Sequence, residues 1–371
     1  MATRLHQLQR RAYLKCIPLN VSFEVTLRCN LRCVHCYNFD RELAYLPSKS
    51  REEELTDAEI HRVLDEVRAE GCLFLSFTGG EALLHPRLED FIRHACQAGM
   101  AVTVKSNGSL LGPAMLDRLA AAGASAVDVS LYGSEPETHD SFVKMPGAFQ
   151  RTIDGALRAR SGGLRVRFSL LILQRNADQV GSMIELAMRM GIPYSVDPQI
   201  TARHDGSRSS LDHRVDRGTL DRLFRGPLRY LLPPLDATRN SVQCSCARSV
   251  CGISAFGEVY PCIGAPMPSG NLRQHSFHDV WHDSPALQWI RNLRLDDFPA
   301  CRTCEHMTHC RRSSGVIYNN TGMYNGPAKF GEDWTCMEAE VFHRIHDEAP
   351  AIDGGPRPQG TGTTGTKETC G

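Results

Sequence analysis

The chain has 371 residues, equal numbers of acidic and basic side chains and a formal net charge of zero, so it has no global attraction to nucleic acid or to an anionic membrane. The length suggests two domains, or one large domain with an appendage, and the hydrophobic fraction of 42% is ordinary for a globular protein. No apolar run is long enough for a transmembrane helix. We therefore expect a cytoplasmic protein with no nucleic-acid partner and no membrane partner.

Helix-like and strand-like segments alternate from Val21 to about Ile200. Thr56 and Glu59 form a capping-box pattern at the start of the first predicted helix. Strands separated by helices predict βαβ units in a parallel sheet, where ligands gather at the carboxyl ends of the strands. The six apolar stretches that predict strands are 21–27, 73–77, 101–105, 126–131, 165–173 and 193–200.

The fifteen cysteines are clustered, with three between Cys29 and Cys36 and eight between Cys244 and Cys336. Clusters of this kind in a long chain without a secretion signal point to metal binding rather than to disulfide bonds. Thiolates are ligands for zinc and for iron–sulfur clusters alike. The spacing and position of the cysteines must therefore decide between a zinc site and an iron–sulfur cluster.

Cys29, Cys33 and Cys36 follow the first predicted strand with x3 and x2 spacing. A closed structural zinc site needs four ligands, and this loop supplies three thiolates. An iron–sulfur cluster held here would keep one iron free for an exogenous ligand. The alternative interpretation is a zinc loop completed by His35 or by a distant residue.

This C-x3-C-x2-C loop resembles the radical S-adenosylmethionine (SAM) superfamily. The resemblance implies an α/β fold, a partial (β/α)6 TIM-like barrel, and a [4Fe–4S] cluster whose unique iron binds SAM. It implies reductive cleavage of SAM to methionine and a 5′-deoxyadenosyl radical that abstracts hydrogen from a substrate. An electron donor such as flavodoxin or ferredoxin would supply the reductant. His35 and Tyr37 lie where ring-bearing residues of the family approach the adenine.

Further polar motifs follow the predicted strands at family positions of the SAM pocket. The glycine pair and glutamate after strand two resemble the motif that holds the SAM amino group, although Ala82 stands where proline is usual. Arg167 corresponds to a basic residue on the SAM carboxylate, or it is an outward-facing surface residue. The residues matched in this way are Gly79, Gly80, Glu81, Ser106, Asn107, Ser130 and Arg167.

The second cysteine field is similar to the SPASM extension, which follows the barrel in maturases of ribosomally made peptides and of anaerobic sulfatases. The resemblance implies one or two auxiliary [4Fe–4S] clusters. Phe256-Gly257-Glu258-Val259 predicts a hairpin turn inside this field. The ligands implied for the outer cluster are Cys301, Cys304, Cys310 and Cys336.

The inner auxiliary cluster departs from the family pattern, because Ser314 stands where the last cysteine is usual. Cys244 and Cys262 match ligand positions, and the third ligand is either Cys246 or Cys251. Residues two apart on an extended segment point to opposite sides, which favours Cys251 over Cys246 as the partner of Cys244. The fourth iron would then be bound by Ser314 or by an outside ligand, or the cluster is missing.

These assignments predict five segments: an N-terminal extension (1–20), a radical SAM barrel (21–200), a bridge (201–240), a SPASM domain (241–345) and a disordered tail (346–371). The predicted function is modification of a peptide or protein side chain, as in the pyrroloquinoline quinone and mycofactocin types of maturase. Only about twenty residues precede strand one, so a peptide substrate would need a separate leader-recognition protein. The alternatives are a small-molecule substrate such as a tetrapyrrole or sugar, and a non-enzymatic zinc or electron-transfer protein. No residue can be named as the hydrogen donor or acceptor.

Overall fold

A computed structural model describes residues 4–46, 48–232, 244–331 and 333–348. The predicted tail beyond residue 348 and the last part of the predicted bridge (233–240) lie outside these residues. The strands are β1 (Asn20–Thr26), β2 (Phe74–Gly79), β3 (Ala101–Ser106), β4 (Ala126–Leu131), β5 (Arg165–Leu171), β6 (Tyr194–Asp197), β7 (Val250–Ile253) and β8 (Val259–Tyr260). The helices are α1 (Arg4–Lys15), α2 (Asp57–Ala69), α3 (Leu88–Gln97), α4 (Pro113–Ala122), α5 (Pro136–Val143), α6 (Ala148–Ser161), α7 (Val180–Arg189), α8 (Arg217–Arg225), α9 (Phe277–Asp283), α10 (Pro285–Asn292), α11 (Ser314–Thr321) and α12 (Trp334–Glu348).

One sheet with the order β6-β5-β4-β3-β2-β1-β7-β8 organises the described residues. Strands β1 to β6 pair in parallel with their neighbours, which confirms the predicted partial barrel. β7 continues the sheet in parallel beside β1, and β8 returns antiparallel to β7. Gly257 has φ +82° in the turn between them, as the predicted hairpin requires.

Alternation along the strands separates the barrel interior from the helical layer. On β4, Val127 and Val129 are fully buried in the main apolar core with the helices, so Asp128 and Ser130 face the opposite side, the lumen of the partial barrel. The helix-facing side includes the fully buried ring of Phe77 on β2. Burying one such ring contributes roughly 1.5–3 kcal/mol to folding.

The C-terminal part of the chain is attached to the barrel along α2 as well as through the sheet. Thr56 caps α2, and its backbone N–H donates to Glu59 Oε2 at 2.7 Å, which confirms the capping box. Glu59 also accepts from Arg273 Nε at 2.8 Å. The N-terminal segment is held by the indole of Trp281, which donates to the Cys16 carbonyl at 2.7 Å. None of the described helices is long and apolar enough to cross a membrane.

Candidate active site and auxiliary cysteine sites

Cys29, Cys33 and Cys36 lie together on the loop after β1, and all three are half-buried. Backbone bonds fix the loop: Arg32 N donates to Val143 O at 3.0 Å, and Cys36 N donates to Cys33 O at 3.2 Å. Burial raises the pKa of the Cys33 thiol, and the adjacent thiolates of Cys29 and Cys36 raise it further. Three convergent sulfurs in a protected loop form a donor set that fits an iron–sulfur cluster.

A buried arginine contacts this cysteine loop. Arg41 is 7% exposed, its Nε donates to Cys36 Sγ at 3.1 Å, and its Nη1 donates to Leu27 O at 2.7 Å. The guanidinium also stacks over Phe39, with Cζ 4.1 Å from the ring centroid. The sequence analysis missed this residue, because an arginine five positions after the last cysteine carries no recognisable motif.

We expect Arg41→Gln to lower the midpoint potential of a cluster bound by this loop. A cation that donates a hydrogen bond to a cluster thiolate stabilises the reduced, more negative state, and hydrogen bonds to the sulfurs help to set such potentials. A charge-assisted bond of this kind corresponds to a shift on the order of tens of millivolts. A redox titration followed by electron paramagnetic resonance (EPR) measures it. Arg32→Gln, an exposed charge on the same loop, is the control, and an equal shift in both variants would contradict the direct contact.

Gly79 and Gly80 bring the end of β2 against the backbone that leads into the cysteine loop. A Cβ on Gly79, which has φ +125°, would lie 2.1 Å from Thr26 O, and a Cβ on Gly80 would lie 2.2 Å from Arg28 O. Gly80 N donates to Thr26 O at 2.8 Å. Only glycine fits this approach, so the glycine pair positions the turn beside the cysteine loop.

Glu81 is 1% exposed and joins the ends of β2 and β3. Its Oε1 accepts from Leu83 N at 3.2 Å, and its Oε2 accepts from Asn107 N at 2.8 Å. Burial raises the pKa of this carboxyl to about 7, although the backbone N–H donors lower it. The carboxylate thus contacts protein on both oxygens, and it holds two turns of the expected SAM pocket together.

The turn after β3 is tied to the cysteine loop by its asparagine. Asn107 Nδ2 donates to Asn30 Oδ1 at 2.9 Å, and Asn30 Nδ2 donates to Ser109 Oγ at 2.9 Å. Ser106 is buried, and its hydroxyl accepts from Gly108 N at 3.0 Å. Ser106 and Asn107 therefore shape the turn beside the three cysteines.

Ser130 and Arg167 face the barrel lumen. Arg167 lies opposite Asp128 in the β4–β5 register and forms an ion pair with it, so the outward-facing surface alternative does not hold. Ser130 lies one lumen position nearer the carboxyl end of β4, opposite Ser169. The Ser130 hydroxyl and the Arg167 guanidinium therefore lie on adjacent strands of the same lumen face.

His35 and Tyr37 flank Cys36 but point into different surroundings. His35 packs on Tyr132, with ring centroids 4.6 Å apart, and burial lowers its pKa to about 3, so the imidazole is neutral. The Tyr37 hydroxyl donates to Glu24 Oε1 at 2.8 Å. Burial raises the pKa of Glu24 to about 7 against the lowering effect of this bond.

The inner auxiliary site brings together Cys244, Cys246 and Cys262. The Cys246 thiol lies within interaction distance of the sulfurs of both other residues. Cys251 lies opposite Val21 in the β1–β7 register, on the helix-facing side of the sheet, and is fully buried in the apolar core. The structure therefore places Cys246, and not the expected Cys251, in contact with the other two sulfurs.

A tight turn explains this difference. The Ser245 carbonyl accepts from the backbone N–H groups of Arg248, Ser249 and Val250 at 3.0–3.2 Å, and Ala247 has the left-handed φ of 59°. The segment from Cys244 is therefore folded rather than extended. Residues two apart consequently reach the same side.

The outer auxiliary site is formed by two short turns and the start of α12. Cys304 N donates to Cys301 O at 3.1 Å, and Cys310 N donates to Met307 O at 3.2 Å. Burial raises the pKa of the Cys336 thiol, and the nearby Cys301 and Cys304 add to that rise. The structure thus brings Cys336 to the earlier cysteines of this set.

Two buried side chains link the inner and outer sites, and the sequence analysis identified neither. Arg312 Nη1 donates to Cys301 Sγ at 3.5 Å, and its Nη2 donates to Tyr324 O at 2.8 Å. The Tyr324 hydroxyl lies 3.5 Å from Cys244 Sγ. A continuous chain of contacts therefore joins one thiol of each auxiliary site.

The partial barrel with three cysteines after β1, followed by two further cysteine sites, defines a class of iron–sulfur enzymes. The family model described as "Radical SAM superfamily" matches residues 23–187, and the model described as "Iron-sulfur cluster-binding domain" (SPASM) matches residues 244–305. Together they cover more than half of the chain. The chain belongs to the radical SAM superfamily and carries a SPASM region, and its cofactors are SAM, the radical SAM [4Fe–4S] cluster and auxiliary iron–sulfur clusters.

Curated relatives include enzymes with different substrates. The chain is 27% identical over 340 residues to the AdoMet-dependent heme synthase of Methanosarcina barkeri, covering 83% of this chain and 94% of that protein. It is 26% identical over 374 residues to the mycofactocin maturase MftC of Mycolicibacterium smegmatis, covering 95% of this chain and 90% of that protein. It is 26% identical over 308 residues to the PqqA peptide cyclase of Granulibacter bethesdensis, covering 78% of this chain and 80% of that protein.

Solved structures share the fold at low sequence identity. Streptococcus suis SuiB bound to precursor peptide SuiA has a TM-score of 0.67 and 17% identity over 90% of this chain and 80% of that chain. Native anSMEcpe with bound AdoMet has a TM-score of 0.59 and 14% identity over 89% of this chain and 97% of that chain. The fold is therefore that of a partial barrel with a C-terminal cysteine-rich region.

Proposed function

We propose that this radical SAM enzyme modifies a side chain of a peptide or protein. When bound, the cluster on the first cysteine loop and SAM supply a 5′-deoxyadenosyl radical that abstracts hydrogen from the substrate. Gly79, Gly80 and Glu81 would shape the SAM pocket from the β2 side. The other residues proposed to line it are His35, Tyr37, Ser106, Asn107, Ser130 and Arg167.

The observation that most favours a peptide substrate is the polar lining of the barrel lumen. By register, the lumen face is dominated by hydroxyl and charged side chains. Such a surface offers hydrogen bonds to a polypeptide backbone, whereas a tetrapyrrole presents a broad apolar macrocycle. The hydroxyl residues of this face are Ser22, Ser76, Thr78, Thr103, Ser130, Ser169 and Ser195.

Lys105 adds an available cation to this lumen. Its side chain is exposed, yet surrounding protein lowers its pKa, and the two observations agree if the ammonium lines a cavity. Within the described residues it makes no hydrogen bond or ion pair, because Asp128 is engaged by Arg167. A peptide carboxylate or an acidic side chain is a ligand of the opposite charge.

The auxiliary clusters would be held by two cysteine sets. The inner set is Cys244, Cys246 and Cys262, and the outer set is Cys301, Cys304, Cys310 and Cys336. Both would exchange electrons with the substrate or with a carrier such as flavodoxin or ferredoxin. A separate leader-recognition protein would present a peptide substrate.

Mass spectrometry tests the substrate class. The anaerobically reconstituted protein is incubated with SAM, a reductant and either a short peptide encoded beside its gene or a tetrapyrrole with carboxylate side chains. We expect a mass change in the peptide and none in the tetrapyrrole. A changed tetrapyrrole with an unchanged peptide would replace this proposal by the heme-synthase type of reaction.

A further inference from the structure

The start of α11 lies against the inner cysteine set. The Ser314 backbone N–H lies close enough to the Cys244 sulfur to interact with it. At the next residue, a Cβ built on Gly315 would lie 2.9 Å from Cys262 Sγ. The first turn of this helix therefore touches two of the three sulfurs, and its positive end favours the negative charge of a thiolate-bound cluster.

The Ser314 hydroxyl is buried without a hydrogen-bond partner. The residue is 0% exposed, and no described group donates to or accepts from its Oγ. Leaving a buried hydroxyl without a partner destabilises the folded protein, and alanine would avoid this penalty. A hydroxyl in this position thus needs a partner that the protein atoms do not supply.

The usual structural uses of a serine at a helix start do not account for this residue. Ser313, not Ser314, is the N-cap of α11, and its side chain makes no capping bond. A side chain at position 315 would collide with Cys262 Sγ and Ala265. Tyr324, the other hydroxyl nearby, is already paired with Cys244 Sγ.

We propose that Ser314 Oγ is the fourth ligand of the inner auxiliary cluster, beside Cys244, Cys246 and Cys262; this inference rests on the auxiliary clusters of the proposed function. Coordination takes place through the deprotonated oxygen, and the proton is released to solvent as is usual when a metal binds. The site then has three soft thiolates and one harder oxygen ligand. The iron bound to oxygen is more easily lost than the other three.

EPR of the reconstituted full-length chain tests this ligand. The test is made in a background variant in which Cys29, Cys33 and Cys36 are all replaced by alanine. This removes the other three-cysteine site, which would give the same signal. Mild oxidation with ferricyanide then converts a cluster that has lost its fourth iron into a [3Fe–4S] form with a characteristic signal. We expect this signal to rise several-fold in Ser314→Ala and to be absent in Ser314→Cys.

Two control variants sharpen the test. Ser313→Ala changes the adjacent hydroxyl, which has no capping bond, and should match the background protein. Tyr324→Phe removes the other candidate oxygen and should also retain the cluster. Equal signals with and without the Ser314 hydroxyl, or a rise only in Tyr324→Phe, would overturn the assignment while leaving the cluster in place. If the background protein held only the outer cluster, both the Ser314 assignment and the proposed inner cluster would be overturned.

Discussion

Replacing Cys29, Cys33 and Cys36 together by alanine is expected to abolish 5′-deoxyadenosine formation from SAM. On our proposal the loop after β1, which carries these three half-buried cysteines, supplies the thiolates of the cluster that reduces SAM. Liquid chromatography of the anaerobic reaction measures the product. The expected loss is complete, because the electron donor to SAM is removed rather than tuned.

The control for this variant is Cys96→Ala. Cys96 is half-buried between α3 and α4, where its thiol donates to Gly123 O at 3.2 Å, and it belongs to none of the three cysteine sites. We expect this variant to retain product formation. SAM cleavage that persists in the triple variant would disprove the cluster site on the first loop.

Replacing Cys246 by alanine is expected to remove about four irons per chain, by the stoichiometry of a [4Fe–4S] cluster, while Cys251→Ala removes few. Cys246 contacts both other sulfurs of the inner set, whereas Cys251 faces the helical layer. Iron and acid-labile sulfide analysis after reconstitution measures the difference. Cys251→Ala is a matched control, since it also truncates a buried cysteine in the same segment.

The reverse result would restore Cys251 as the third ligand, the assignment that assumed an extended segment after Cys244. If Cys251→Ala lost the irons and Cys246→Ala kept them, the turn at Ala247 would have to open when the cluster binds. A wild-type content of only about eight irons, by the same stoichiometry, would instead indicate two clusters in place of three.

The sequence predicted the barrel well because apolar periodicity and helix caps act locally. The capping box of Thr56 and Glu59 and the strand at 126–131 both have the expected form. The two C-terminal strands were not predicted as part of this sheet, since β7 meets β1 across more than two hundred residues of sequence.

The candidate site was less predictable where side-chain direction depends on the local path of the backbone. Cys246 was rejected on the assumption of an extended segment, but Ala247 adopts a left-handed conformation that sequence rarely reveals in alanine. The direction of Arg167 required the register of β4 with β5. Arg41 and Arg312 carry no motif, because their contacts with sulfur arise only when distant segments meet.

The position of β1 between β2 and β7 makes the two halves of the chain one folding unit. A fragment that ended with the barrel would leave β1 as an edge strand, because β1 residues such as Val21 and Phe23 would lose their pairing partners on β7. Exposed edges of this kind template pairing with other chains. Truncation before residue 250 would therefore convert the strand that leads into the cysteine loop into a site of aggregation.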